Sequence, residues 1–215
     1  MLRCCSVFFC FLFCFTLIAE PLTIAVLRYQ GGDWYSCIPS VRNFVNKIQH
    51  RFKMKIEFTG EGYLPGQKGF YRIPFYIVNG HGQVLFTAEQ RAHLKRYLQN
   101  GGFLFANDDF GMDRSFRELL RQLFPAQPLI RLSRKHPLYS SWYRLPAGLP
   151  KIHKHGGQLP AGYGLLFNGR LVLFYAFESD IVDGWDRAKV HRDPKKIREL
   201  AFQAGYNILY YALTR

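Results

Sequence analysis

The segment from Ile73 to Gly111 restricts the fold more than any other part of the chain. "IPFYIVNGHG" reads as an apolar β-strand with a sharp turn at its end, "TAEQRAHLKRYLQNGG" as an amphipathic helix and "FLFANDDFG" as a second strand. The helix carries a T-x-x-Q capping box at Thr87 and Gln90, apolar positions at Leu94, Tyr97 and Leu98, and Gly101 and Gly102 as its stop. Strand, helix and strand joined by short connections form a βαβ unit, whose crossover makes the two strands parallel. The spacing therefore predicts an α/β domain.

The flanking sequence extends this pattern. "LTIAVLRY", Leu22 to Tyr29, reads as a buried strand emptying into the glycine loop "QGGDWY". A helix follows over "CIPSVRNFVNKIQHRF", with Val41, Phe44, Val45 and Ile48 on one face and Pro39 at an early position; "KMKIEF" is then a strand and "GEGYLPGQKGFYR" a loop. After the second acidic strand, "DRSFRELLRQLFP" buries Phe116, Leu119, Leu120, Leu123 and Phe124, with an S-x-x-E pair at Ser115 and Glu118. Residues 127–162 lack a periodic apolar set and read as an irregular basic excursion or lid. Asn168-Gly169 between apolar runs marks a type I′ hairpin, and Asp193 and Pro194 open a long C-terminal helix. With 215 residues, 48% of them hydrophobic, one domain over residues 20–215 is expected.

Residues 1–19 have Arg3 near the start, an apolar run from Val7 to Ala19 too short to span a bilayer comfortably, and a small residue before Glu20. That is the layout of a signal peptide, so the expected location is the periplasm or cell envelope, with no transmembrane span in the mature chain. Four of the five cysteines lie in this leader, and Cys37, left alone, can form no internal disulfide and has no evident base beside it. The net charge of +14 suits acidic partners. Export makes nucleic acid a poor candidate among them.

Ligands of an open parallel sheet bind at the carboxyl ends of its strands, where loops diverge and helix N-termini point inward. Three strands here end in unusual residues, which nominates Arg28, Tyr29, Gly32, Asp33, Trp34 and Tyr35 from the first, Gly80, His81 and Gly82 from the second, and Asn107, Asp108 and Asp109 from the third. Trp142 from the basic excursion, and Asp183 and Trp185 from "ESDIVDGWD", complete the expected ligand-binding set. Each has a plainer reading: Asp33 bonding its own turn, His81 bonding a backbone carbonyl, and one of the paired acids capping the next helix. His81, Asp108 and Asp109 are the catalytic candidates. No cofactor is called for, although a divalent metal held by His81 and the two acids, or by His153 and His155, is one reading. "ESDIVDGWD" lacks the glutamate of a calcium loop and reads as a turn ordered by Asp side chains. G-x-S-x-G, Walker, Rossmann and H-E-x-x-H motifs are all missing.

Taken together, "RYQGGDWY", "PFYIVNGHG", "YLQNGGFLFANDDFG", "FRELLRQLFP", "HPLYSSWY", "GLPKI", "DGWD" and "AGYNILYYALT" resemble the bacterial domain-of-unknown-function 4159 family. That family is similar in turn to the class I glutamine amidotransferase-like superfamily, which implies a flavodoxin-like three-layer α/β sandwich with a mainly parallel sheet. Active amidotransferases place a cysteine at the elbow where "FANDDFG" has none, so the resemblance implies the fold and a pseudoenzyme with respect to glutaminase chemistry. The leading expectation is an exported binding module for an envelope component, an anionic glycan or a protein partner, in which Trp142, Tyr143 and the basic residues from Lys151 to Lys154 supply stacking and charge. The alternative is a hydrolase using His81 and Asp108 or Asp109 as base, with or without a metal.

Overall fold

The structure, a computed structural model, describes residues 21–153 and 157–215; the leader expected at 1–19 and His155 lie outside the described residues. In chain order the elements are β1 (Leu22–Leu27), β2 (Gln30–Gly32), α1 (Ile38–Phe52), β3 (Ile56–Tyr63), β4 (Phe75–Leu85), α2 (Ala88–Gln99), β5 (Phe103–Phe110), α3 (Asp113–Leu123), β6 (Ile130–Arg131), β7 (Ala161–Phe167), β8 (Arg170–Phe177), α4 (Ala188–His191) and α5 (Lys195–Thr214). Among the described residues, no helix is long and apolar enough to cross a membrane.

One mixed sheet in the order β3-β1-β4-β5-β8-β7-β6 organises the molecule, with β2 added against the end of β4. The five strands from β3 to β8 are parallel, and β7 and β6 continue antiparallel beyond them. Strand residues alternate between faces. Ile24, Val26, Ile77 and Phe105 pack with the apolar sides of α1 and α5, whereas Ala25, Leu27, Tyr76, Val78 and Leu104 pack with α2 and α3. Helices therefore cover both faces, which a largely parallel sheet requires because its strands are apolar on both sides. On α3 alone, Phe116, Leu119, Leu120 and Leu123 are buried at about 1.5–3 kcal/mol each.

The predicted caps and turns appear at α2 and the hairpin. Thr87 and Gln90 form the reciprocal capping box, and Asn168 and Gly169 take positive φ of 50° and 77°, as a type I′ turn requires. Elsewhere the strands run further than their apolar cores suggest. β3 continues through "GEGY", where a loop was expected, because Arg28 N–H donates to Tyr63 O and β1 pairs with Gly62 and Tyr63. β4 does not turn at "NGHG" but continues to Leu85, its far end pairing antiparallel with β2. Asp108 and Asp109 likewise belong to β5 and are not in the loop beyond it. Ser115 is no N-cap, since α3 begins earlier; its hydroxyl donates to Met112 O and accepts from Val84 N–H.

The excursion is packed down rather than free as a lid. Leu138, Tyr139, Leu145 and Leu149 enter the same core as α5. Buried Asn207 of α5 holds its middle through Oδ1, which accepts from Trp142 N–H at 3.1 Å and Tyr143 N–H at 2.7 Å, and through Nδ2, which donates to Tyr143 O at 2.8 Å. These anchors act singly, which is why no periodic pattern announces them. The last part of the segment returns to the carboxyl edge of the sheet, where Ile152 N–H donates to Ser179 O and Lys151 pairs with Glu178.

Candidate functional site

In the strand order, β1 leads to β3 on one side and the chain then crosses to β4 on the other. Such a reversal opens a crevice at the carboxyl ends of the neighbouring strands. Asp33 follows β1 and the short β2, His81 lies where β4 leaves the parallel sheet, Asp109 is the last residue but one of β5, and Asp180 and Asp183 follow β8. The edge is thus assembled from residues far apart in sequence.

Asp33 grips His81 twice. Its Oδ1 accepts from the His81 backbone N–H at 2.5 Å and its Oδ2 lies 3.0 Å from Nδ1. On the other side of the ring, Nε2 is 3.5 Å from Asp109 Oδ2. The imidazole therefore faces a carboxylate at each nitrogen, not the backbone carbonyl of a plain turn. Burial alone would lower its pKa, but Asp109, Asp33 and, more weakly, Asp183 outweigh it, and the net direction is upward from 6.5. Glycine makes this approach feasible: a Cβ on Gly80 (φ 138°) would sit 2.5 Å from the Tyr29 hydroxyl and 2.7 Å from Asp33 Oδ1, and one on Gly32 would sit 2.2 Å from His81 O. Tyr29 completes the wall by donating its hydroxyl to Asn79 O.

The adjacent acids of β5 do different jobs because neighbours on a strand point to opposite faces. Asp108 turns towards α3, where Oδ1 accepts from Met112 N–H at 3.2 Å and Oδ2 from the Tyr175 hydroxyl at 3.1 Å. It is a helix-start anchor, so the three-residue set of His81, Asp108 and Asp109 cannot share a metal. Asp109 turns towards His81, and its side chain is only 3% exposed. Burial, followed by the charge of Asp183, pushes its pKa up to about 6 against the lowering effect of His81. Beneath it, Asn107 ties three elements together, donating Nδ2–H to Asn79 Oδ1 at 2.6 Å and accepting from Ile181 N–H at 2.9 Å.

Burial also raises Asp108 to about 6, outweighing its two hydrogen bonds. The unfolded chain releases this proton at lower pH than the folded chain does, so the group costs stability as pH rises from about 4 to about 6, and that cost persists above. Asp108→Asn, which keeps an acceptor for Met112 N–H, is expected to match or exceed the wild-type melting temperature above pH about 6. Asp108→Ala leaves Met112 N–H without its acceptor, at a cost of about 1–3 kcal/mol, while the Tyr175 hydroxyl keeps Asp113 Oδ1 at 2.9 Å. Thermal melts of both variants across pH test the assignment.

A second group of side chains adjoins the first. His153 Nδ1 is 3.2 Å from Asp183 Oδ2 and its Nε2 is 3.3 Å from Asp193 Oδ2. His191 Nε2 is 3.0 Å from Asp186 Oδ2 and 3.9 Å from Asp183 Oδ2. The charges of Asp183 and His153 both act on Asp109, which places the two groups at one edge. Asp180, buried in the same loop with φ 53°, is pushed up to about 8 by burial and by Asp109 and Asp183. A chain of net charge +14 thus concentrates carboxylates here, so this edge does not offer the positive field expected for an anionic ligand.

Several nominated residues sit elsewhere. Trp142 stacks edge-on against Phe52, the last residue of α1, and so lies at the amino ends of the strands, opposite the site. Trp185 is fully buried, stacked on Phe44 with centroids 4.0 Å apart and donating Nε1–H to Ala201 O. Trp34 fills the space over Gly62, and Arg28 contributes its backbone to the β3 pairing. Tyr35, 60% exposed, remains near Asp33 at the rim. Gly82 (φ 82°) lets β4 approach β2. Cys37 is buried, with its thiol donating to Trp34 O at 3.2 Å; burial and the charge of Asp109 push it above the usual thiol range, which disfavours a thiolate nucleophile. His191 and Asp193 carried no sequence signal beyond a short "HRD" run before the last helix. A family model described as "Domain of unknown function (DUF4159)" matches residues 23–213. No curated protein matches the chain.

Proposed function

Because the chain belongs to the DUF4159 family, whose description assigns no activity, we propose from its site that it is a hydrolase that activates water at the carboxyl edge of the sheet. The observation that carries the proposal is His81, half exposed at 51% yet held with a carboxylate at each ring nitrogen. A surface turn does not require that clamp, whereas a proton-transferring imidazole gains from it a fixed ring orientation and a stabilised imidazolium.

In the neutral ring, Nδ1–H donates to Asp33, which leaves the Nε2 lone pair to face the crevice beside Asp109. Nε2 removes a proton from water as the water oxygen bonds to the substrate's acyl carbon. The resulting imidazolium lies between Asp33 and Asp109, whose charges stabilise it. The same proton then passes to the departing nitrogen or oxygen as its bond to that carbon breaks, so the elements of water are divided between the two products. Asp33 is a positioning residue and Asp109 the electrostatic partner. The Asp109 to Nε2 separation of 3.5 Å exceeds a good hydrogen bond and leaves that nitrogen accessible.

The carboxylates favour a neutral or cationic group at the reacting centre, which points to an amide or ester. Tyr35 and Phe110, 60% and 53% exposed, offer flat apolar surfaces at the rim for the rest of the substrate. The order of the five parallel strands, second-first-third-fourth-fifth in sequence, supports the flavodoxin-like and amidotransferase-like reading of the fold. The signal-peptide layout expected of residues 1–19 favours a substrate in the cell envelope. Export predicts that the protein fractionates with the periplasm or envelope with its first residues removed; recovery of the intact chain in the cytoplasm would contradict that location.

The test of the reaction is a panel of neutral amides and esters offered to the wild type and to His81→Gln. Turnover in the wild type that collapses in the variant supports the proposal. Equal rates in both would overturn it.

A further inference from the structure

We propose that His153, Asp183 and His191 form a binding site for a divalent transition-metal ion such as zinc. One ligand atom from each lies within 4.8 Å of the other two. Two imidazoles and one carboxylate are a recurrent donor set for zinc and for other first-row divalent ions. With metal–ligand bonds of about 2.0–2.1 Å, tetrahedral ligands stand about 3.3 Å apart. His153 Nδ1 and Asp183 Oδ2 already stand at 3.2 Å, and the 3.9 Å from His191 Nε2 to Asp183 closes by a small movement of exposed His191 on the four-residue α4.

Hydrogen bonding around the trio fits the same purpose. Asp193 Oδ2 stands 3.3 Å from His153 Nε2 and, by accepting its proton, leaves the Nδ1 lone pair aimed at the Asp183 carboxylate. An approach of 3.2 Å between that nitrogen and the carboxylate calls for a positive centre between them, a proton or a metal ion. A carboxylate on the outer nitrogen of a ligating histidine is the common supporting arrangement at metal sites. The two rings also lie only 4.8 Å apart by centroid, close enough for both to reach one metal ion. Asp193 is then a positioning residue, whereas Asp186, 3.0 Å from the same His191 Nε2 that would ligate, holds that nitrogen in the metal-free chain and must give it up when the metal binds.

The proposal deepens the hydrolase reading by setting a Lewis acid beside the His81 edge, and it rests on that reading only for the metal's catalytic use. Metal-stripped full-length protein titrated with zinc alone is expected to bind it stoichiometrically. Asp183→Asn and His191→Gln should abolish the stoichiometric step, and Asp193→Asn should weaken it about 10- to 100-fold. The cobalt-substituted protein should show tetrahedral visible bands that shift in Asp193→Asn, a change that loss of packing alone would not give. His191 is exposed, so its variant should fold, as circular dichroism can verify. Unchanged zinc affinity in His81→Gln separates this site from the proton-transfer group. Equal, weak zinc uptake by wild type and variants, an adventitious ion only, would overturn the proposal.

Discussion

Replacing His81 with glutamine is expected to lower kcat/KM on an amide or ester substrate about 10²–10⁴-fold, the usual contribution of a positioned proton-transfer group. Glutamine keeps a polar side chain and the backbone N–H that Asp33 holds, so the loss should come without unfolding. In the wild type the rate should rise with pH through the His81 titration, which lies above 6.5 because Asp109 and Asp33 favour the imidazolium against the opposing effect of burial. Asp109→Asn removes that support, and the rising limb should move to lower pH as the maximum rate falls. Stability should follow the same linkage in wild type. A histidine whose pKa is raised on folding contributes stability fully below its unfolded value, and that contribution is lost as pH rises through the folded value. A glutamine variant with the wild-type rate would place the base elsewhere.

The second large effect is structural. Trp185→Ala is expected to destabilise the protein by about 3–5 kcal/mol, the range for deleting a fully buried large aromatic side chain. The indole stacks on Phe44 of α1 and lies 6.0 Å by centroid from Phe105 of β5, while Nε1–H donates to Ala201 O of α5. Its backbone carbonyl also accepts from Asn43 Nδ2. One side chain thus joins α1, the sheet and α5, and its loss opens a cavity at their junction. Trp185→Phe retains part of the stacking but leaves the Ala201 carbonyl without its indole donor, so its cost should be smaller. Because Asp183 opens the same short turn, the alanine variant should also weaken zinc uptake. Denaturant melts and metal titration of the two variants test both consequences.

Much of the architecture was legible because it follows from periodicity. The βαβ unit, the capping box of α2, the Asn168-Gly169 hairpin and the apolar face of α3 are local patterns, and each forms as its pattern predicts. Strand ends were less legible. "GEGY", "GHGQVL" and the paired acids of β5 look like loops by composition, yet backbone pairing with distant segments holds them extended. Parallel topology sufficed to bring Asp33, His81 and Asp109 together, since it places successive strand ends side by side. The separation of Asp108 from Asp109 was implicit in strand alternation, once both residues are recognised as lying within the strand. His191 and Asp193 could not be found this way, because the fold of an aperiodic loop brings them to His153. Trp142 and Trp185 show the opposite difficulty, since an aromatic residue that anchors a core and one that stacks on a ligand look alike in a sequence.

The most direct test is the pKa of His81 itself, read from the imidazole signals by NMR titration of the wild type, Asp33→Asn and Asp109→Asn. The clamp predicts a value above 6.5 in the wild type and a lower one in each variant. A wild-type value at or below 6.5 that neither substitution moves would contradict it.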